Sequence, residues 1–182
     1  MDKDGQGLHI SYYYYGRDHL NLNLGYYIEN YVNKGEKVYL FSSEDQYNSI
    51  MNFFAAASIP QSVVNYHTLN EIEDEYGKDI YKMREKVIKE EISNNNQGIK
   101  WIFMVDYFIK NTSKEKFMNW EEELTEVFAG TRSSLLCLYN FEDFTSEQKY
   151  IDKKVIEHSY ESHPYILHQF SLKRTCELQK IK

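Results

Sequence analysis

The sequence predicts an α/β domain, with helices on both faces of a mainly parallel sheet. Three observations predict it. Short apolar runs alternate with amphipathic helical stretches along the chain, with no internal repeat. Residues 99–105, IKWIFMV, form the most apolar run, of a length that suits a strand buried on both faces. Residues 9–43 read strand, helix, strand, and about 35 residues is the length of a βαβ unit.

Each element has its own signal. Residues 9–15 are aromatic and strand-prone, and Gly16 interrupts them. Leu20, Leu24, Tyr27, Ile28 and Tyr31 then recur on one helical stripe, which Lys34 and Gly35 end. Residues 38–41 resume as a short buried strand. Ser43 followed by Gln46 is a capping box, opening a helix with Tyr47, Ile50, Met51 and Phe54 on one face and Pro60 beyond its end. Residues 61–67 read as a short strand. In the charged stretch that follows, residues 71–75 read as a separate turn because Gly77 interrupts. Ile80, Met83, Val87 and Ile88 then fall at helical spacing, and residues 93–98 are a loop by composition.

After the 99–105 strand, Thr112 or Ser113 caps a helix with Phe117, Trp120, Leu124, Val127 and Phe128 inside, closed by Gly130. Residues 134–139 form another apolar strand. Thr145 or Ser146 caps a weaker helix to about residue 159, and His163-Pro164 opens a last strand, residues 165–170. With the 99–105 strand central, residues 9–15, 38–41 and 135–139 are expected beside it. The chain divides into a polar segment 1–7, a domain 8–170 and a basic tail 171–182 that carries Lys173, Arg174, Lys180 and Lys182.

Composition bounds the function. The chain has 182 residues, enough for one domain with a substantial core. A net charge of −7 argues against a dedicated nucleic-acid binder, which carries a basic surplus. No apolar run approaches the roughly 20 residues that span a bilayer, so no membrane partner is expected. The polar start lacks a signal-peptide core, and two cysteines make no disulfide framework, so a reduced, cytoplasmic setting is expected.

No G-x-x-x-x-G-K-[ST] string is present, and the turn after the first strand is Tyr-Gly-Arg-Asp-His. Phosphoryl transfer depends on positioning groups of that kind, so ATP hydrolysis is not expected. Cys137 lies between leucines and reads as a buried, inert thiol. His158, His163 and His168 are five apart, a spacing that suits no metal triad, and His163 reads as a turn anchor. No catalytic residue, cofactor or metal is expected.

Candidate site residues follow from strand direction. Parallel strands end on one rim, where open α/β sheets bind ligands. That rim should gather Tyr15, Arg17, Asp18, Ser42, Asp106 and Tyr139, walled by aromatics with a few polar groups. Arg17 is a candidate partner for Asp106, or for an anionic ligand. Glu121 either belongs to a solvated acidic face or reaches the rim from its helix.

Several segments together resemble the MEDS domain, a sensory domain named from methanogens, methylotrophs and a dichloromethane-responsive regulator. HISYYYYGRDHLNLNLGYYIENYVNKGEKVYLFSS is similar to its opening. IFMVDYF resembles its strand ending in an acid, WEEEL its aromatic-Glu helix, LLCLYN its Leu-Cys-x-Tyr strand and HPYIL its His-Pro ending, in order across residues 8–170. The resemblance implies a RecA-like α/β/α sandwich that has lost its phosphate loop and senses small organic ligands. The expected function is therefore a non-enzymatic sensory or signal-transduction domain that binds a small organic ligand or a partner at the C-terminal edge of its sheet. The alternatives are a ligand-free protein-interaction module and a residual nucleotide-binding enzyme. Partner classes consistent with these readings are a small organic ligand, a signalling protein and a second copy of the chain.

Overall fold

A computed structural model describes residues 7–32, 35–71 and 80–178. Residues 1–6 of the polar segment, Lys34, residues 72–75 of the expected turn, the break at Gly77, and Lys180 and Lys182 lie outside the described residues.

The strands are β1 (His9–Tyr14), β2 (Lys37–Phe41), β3 (Val64–His67), β4 (Ile99–Met104), β5 (Ser134–Asn140), β6 (Tyr165–His168) and β7 (Ser171–Arg174). They form one seven-stranded sheet in the order β3-β2-β4-β5-β1-β6-β7. Every pairing is parallel except β6 with β7. The described helices are α1 (Gly16–Tyr31), α2 (Glu44–Ala56), α3 (Ile80–Ser93), α4 (Val105–Asn111), α5 (Lys114–Phe128), α6 (Phe141–Thr145), α7 (Lys153–Ser162) and α8 (Thr175–Leu178).

Strand alternation divides the core in two. Ile10, Tyr12, Val38, Leu40, Ile102, Met104, Leu136 and Leu138 face α1 and α2. Tyr39, Phe41, Trp101, Phe103, Leu135, Cys137 and Tyr139 face the opposite way, against α3, α4, α5 and α7. A period of two placing apolar side chains on both faces makes a three-layer sandwich with doubly covered central strands. β4 is internal, as its sequence predicts, with every residue buried and direct pairing to β2 and β5. β1 lies on the far side of β5, so the β1–α1–β2 crossover passes over two strands.

The Ser43 capping box forms, and Gln46 completes it. Other details depart from the sequence expectation. The helix expected from residue 145 or 146 to 159 begins only at Lys153, in α7, and Thr145 instead ends the separate short α6. Asp143 accepts the amide N–H groups of Lys149, Tyr150 and Ile151, which holds the intervening residues as a loop. Asp152 is the cap of α7, accepting from the Val155 amide. Ile88, expected on the inner stripe of α3, is 40% exposed, whereas Met83 and Val87 are buried. The tail expected from residue 171 begins with β7. Gln169 and Phe170 take φ of 47° and 59°, the left-handed conformation of a two-residue hairpin turn.

Candidate functional site

The seven rim candidates separate into distinct environments. Ser42 follows β2 and is fully buried, its hydroxyl donating to the Ser43 carbonyl at 3.1 Å. Asp106 follows β4, in the first turn of α4. These strands are neighbours, and Gln46 of α2 joins their ends by donating to Asp106 Oδ2 at 3.4 Å. Asp106 Oδ1 is buried with no hydrogen-bond partner. Burial holds the Asp106 carboxyl above the usual range, although its hydrogen bonds pull the other way. Tyr14, the last residue of β1, lies near enough that burial and then the Asp106 charge push its hydroxyl upward.

Tyr15, Arg17 and Asp18 are exposed around the start of α1. Gly16 takes φ of 74° there, a left-handed conformation that glycine adopts without strain. The Tyr15 amide donates to His19 Nδ1 at 3.0 Å, so the turn is closed by its own side chain. Arg17 makes no ion pair with Asp106.

Tyr139 and Glu121 lie elsewhere, in the opposite layer between the sheet and α5. Both are fully buried, and the Tyr139 hydroxyl donates to Glu121 Oε1. Glu121 is therefore not on a solvated face. The rim set contracts to Ser42, Gln46, Asp106 and Tyr14, flanked by exposed Tyr15, Arg17 and Asp18, while Tyr139 and Glu121 form a second, interior centre.

Sequence reading missed the other members of that centre. Ser162 donates to Glu121 Oε2 at 3.3 Å, His158 Nε2 faces Oε2 at 3.5 Å, and His163 Nε2 faces Oε1 at 3.6 Å. His9 stands across His163 with ring centroids 3.9 Å apart, and Cys137 Sγ lies 3.6 Å from His9 Nε2. His168 belongs to β6, apart from the other two histidines of the five-residue series. Burial dominates the electrostatics. It pushes Glu121 up to about 8 against the pull of its hydrogen bonds, brings His163 down to about 3, lowers His9 well below its ordinary value and raises the Cys137 thiol. His9, Glu121, Cys137 and His163 come one each from four of the five segments that carry the sequence resemblance, so the resemblance was the signal that could have assembled them.

Grooves on the described surface include two beside the interior centre and the last strands. One is lined by Glu122, Thr125, His158, Glu161, Ser162 and Pro164, the other by Tyr160, Pro164, Tyr165, Arg174, Thr175 and Cys176. None of the seven candidates lines either groove. No described helix is long and apolar enough to cross a membrane.

Comparison with known proteins gives a family and a fold. The family profile "MEthanogen/methylotroph, DcmR Sensory domain" matches residues 8–164. No curated protein matches the chain. Among solved structures, a prototypical ATPase from the type III secretion system of pathogenic bacteria is similar at 11% identity and a TM-score of 0.51, covering 91% of this chain. The chain spans about half of that protein, 54% of its length. A KaiC-like protein from the hyperthermophilic archaeon Pyrococcus horikoshii OT3 aligns over 93% of this chain and 76% of its own, at 8% identity and a TM-score of 0.44. The likeness to the secretion ATPase shows a RecA-like α/β fold.

Proposed function

The chain belongs to the MEDS family, and from that premise we propose that it is a sensory domain without catalytic activity, binding a small organic ligand at the C-terminal rim of its sheet. The family match across residues 8–164 carries the reading. Three features support its finer parts. The sequence has no phosphate-loop string. In the strand-to-helix turn the Tyr15 amide is taken by His19, and a phosphate loop keeps such amides free for anions. At the rim, the unpartnered Asp106 Oδ1 supplies a polar group beside Tyr14, a combination that suits small-molecule recognition.

Asp106 yields a stability prediction of definite sign. Burial holds its folded pKa above the ordinary aspartate value. As pH rises past that value the unfolded chain ionises first, so stability falls until the folded carboxyl also ionises. Asp106→Asn removes that fall. The variant should be more stable than the parent at neutral pH and should lose the advantage below the unfolded pKa. The same variant should lose its thermal response to small organic compounds, because the amide cannot replace the carboxylate. Thermal melts across pH, with and without a panel of short-chain alcohols, amines and halocarbons, check both halves. A ligand at a hundredfold excess over its Kd adds about 2.7 kcal/mol to the parent. Stabilisation by ATP with magnesium would overturn the reading in favour of a nucleotide-binding enzyme. A partner captured with no response to any ligand would favour an interaction module.

A further inference from the structure

We propose that His9, Glu121, Cys137 and His163 are the ligands of a buried divalent transition-metal site, with zinc the best match. The four residues come from β1, α5, β5 and the end of α7, and each is at most 1% exposed. One donor atom from each, two nitrogens, a sulfur and an oxygen, lies within 4.8 Å of all the others. Tetrahedral zinc with bonds of about 2.0–2.3 Å sets its donors roughly 3.3–3.7 Å apart. The His9–Cys137 and His163–Glu121 pairs, each at 3.6 Å, already have that separation. The remaining pairs lie within 4.8 Å.

The surrounding hydrogen bonds orient both imidazoles for this role. His163 Nδ1 lies 2.9 Å from the Ser159 carbonyl, which can only accept, so Nδ1 carries the proton. The Nε2 lone pair is left pointing at Glu121, buried and without a partner. His9 Nδ1 lies 3.0 Å from Thr125 Oγ1, and that hydroxyl donates its own hydrogen to the Ser162 carbonyl at 3.1 Å. Thr125 therefore accepts from His9, whose Nε2 lone pair faces Cys137. A second hydrogen bond from each ligating imidazole is the usual outer layer of a metal site. Tyr139 and Ser162 donate to Glu121 in the same way.

Charge also fits. A divalent ion would be met by one thiolate, from Cys137, and one carboxylate, from Glu121. With two neutral imidazoles the filled centre is neutral, so little desolvation cost attaches to burying it. Thiolate and imidazole donors select zinc or a neighbouring transition ion, and hard calcium and magnesium prefer all-oxygen sites. The groove lined by Thr125, His158 and Ser162 adjoins the centre, since His158 Nε2 lies 3.5 Å from Glu121 Oε2. The inference stands on this geometry and holds whether or not the rim binds a small molecule.

Cobalt(II) added to the full 182-residue chain is the direct probe. The expected result is one ion per chain, with a thiolate-to-cobalt charge-transfer band and the intense visible bands of a tetrahedral site, both displaced by zinc. Cys137→Ser should abolish the charge-transfer band, and Cys176→Ser should leave it unchanged. Thr125→Ala, which keeps all four ligands, should weaken affinity about 10–100-fold. It also keeps the test open if a ligand variant fails to fold. A folded parent that binds neither ion at equimolar concentration would overturn the proposal. So would a spectrum unchanged by Cys137→Ser or an affinity unchanged by Thr125→Ala.

Discussion

Replacing Lys100 with methionine should destabilise the chain by about 3–5 kcal/mol, the usual cost of removing one partner from a buried ion pair. Lys100 Nζ lies 3.5 Å from Glu36 Oε1, with side-chain exposures of 0% and 1%. Methionine fills similar space and removes the cation opposite the Glu36 carboxylate. The pair sits at the entrance to β4, where Gly98 also permits a close approach. A Cβ at Gly98 would stand 2.3 Å from the Arg132 carbonyl oxygen. Urea melts should show a lower midpoint with an unchanged slope. A double variant, Lys100→Met with Glu36→Leu, should recover most of the loss, because a hydrophobic replacement of the whole pair is close to neutral. A single variant as stable as the parent would contradict the buried pairing.

Phe103→Ala should cost about 3–5 kcal/mol, the range for deleting a buried aromatic ring. Phe103 is 1% exposed, and its ring lies 4.5 Å from that of Phe41 and 5.3 Å from that of Trp120. Trp120 in turn stacks on Phe108 at 4.8 Å. Phe103 thus fastens α5 to the sheet one residue before Glu121. Denaturant melts measure the cost, and a changed tryptophan emission in the folded variant should report the loosened Trp120. A loss under about 1 kcal/mol would mean that the site collapses freely around the gap.

The elements that sequence reading places well are those with a local cause. The apolar run at 99–105 is central because its residues leave no polar face for solvent. The Ser43–Gln46 box caps a helix because its hydrogen bonds span only three residues. What escapes the sequence depends on distant partners or atypical turn residues. The β6–β7 turn uses Gln169 and Phe170 at positive φ, where Asn-Gly would have announced a hairpin. Asp143 fixes a loop through amides six to eight positions away.

The site shows the same division. Ser42 and Asp106 could be placed at one rim because both lie within two residues after parallel strands. Glu121 could not be placed, since WEEEL reads as an acidic surface until the Tyr139 hydroxyl and Ser162 are seen to meet its carboxyl. His9 and Cys137 are 128 positions apart, and only the pairing of β1 with β5 brings them together. No spacing rule reaches that far.

A sensory domain on a RecA-like fold is proposed to read a small organic molecule at its rim. Amide chemical-shift mapping tests it most directly, by titrating the labelled chain with the compound that gives the largest thermal response and separately with magnesium and ATP. Ligand shifts should cluster at Tyr14, Ser42, Gln46 and Asp106 and vanish in Asp106→Asn, with no saturable shifts from ATP. Saturable ATP shifts centred on the turn from Tyr15 to His19, with the rim amides unmoved by every compound, would contradict it.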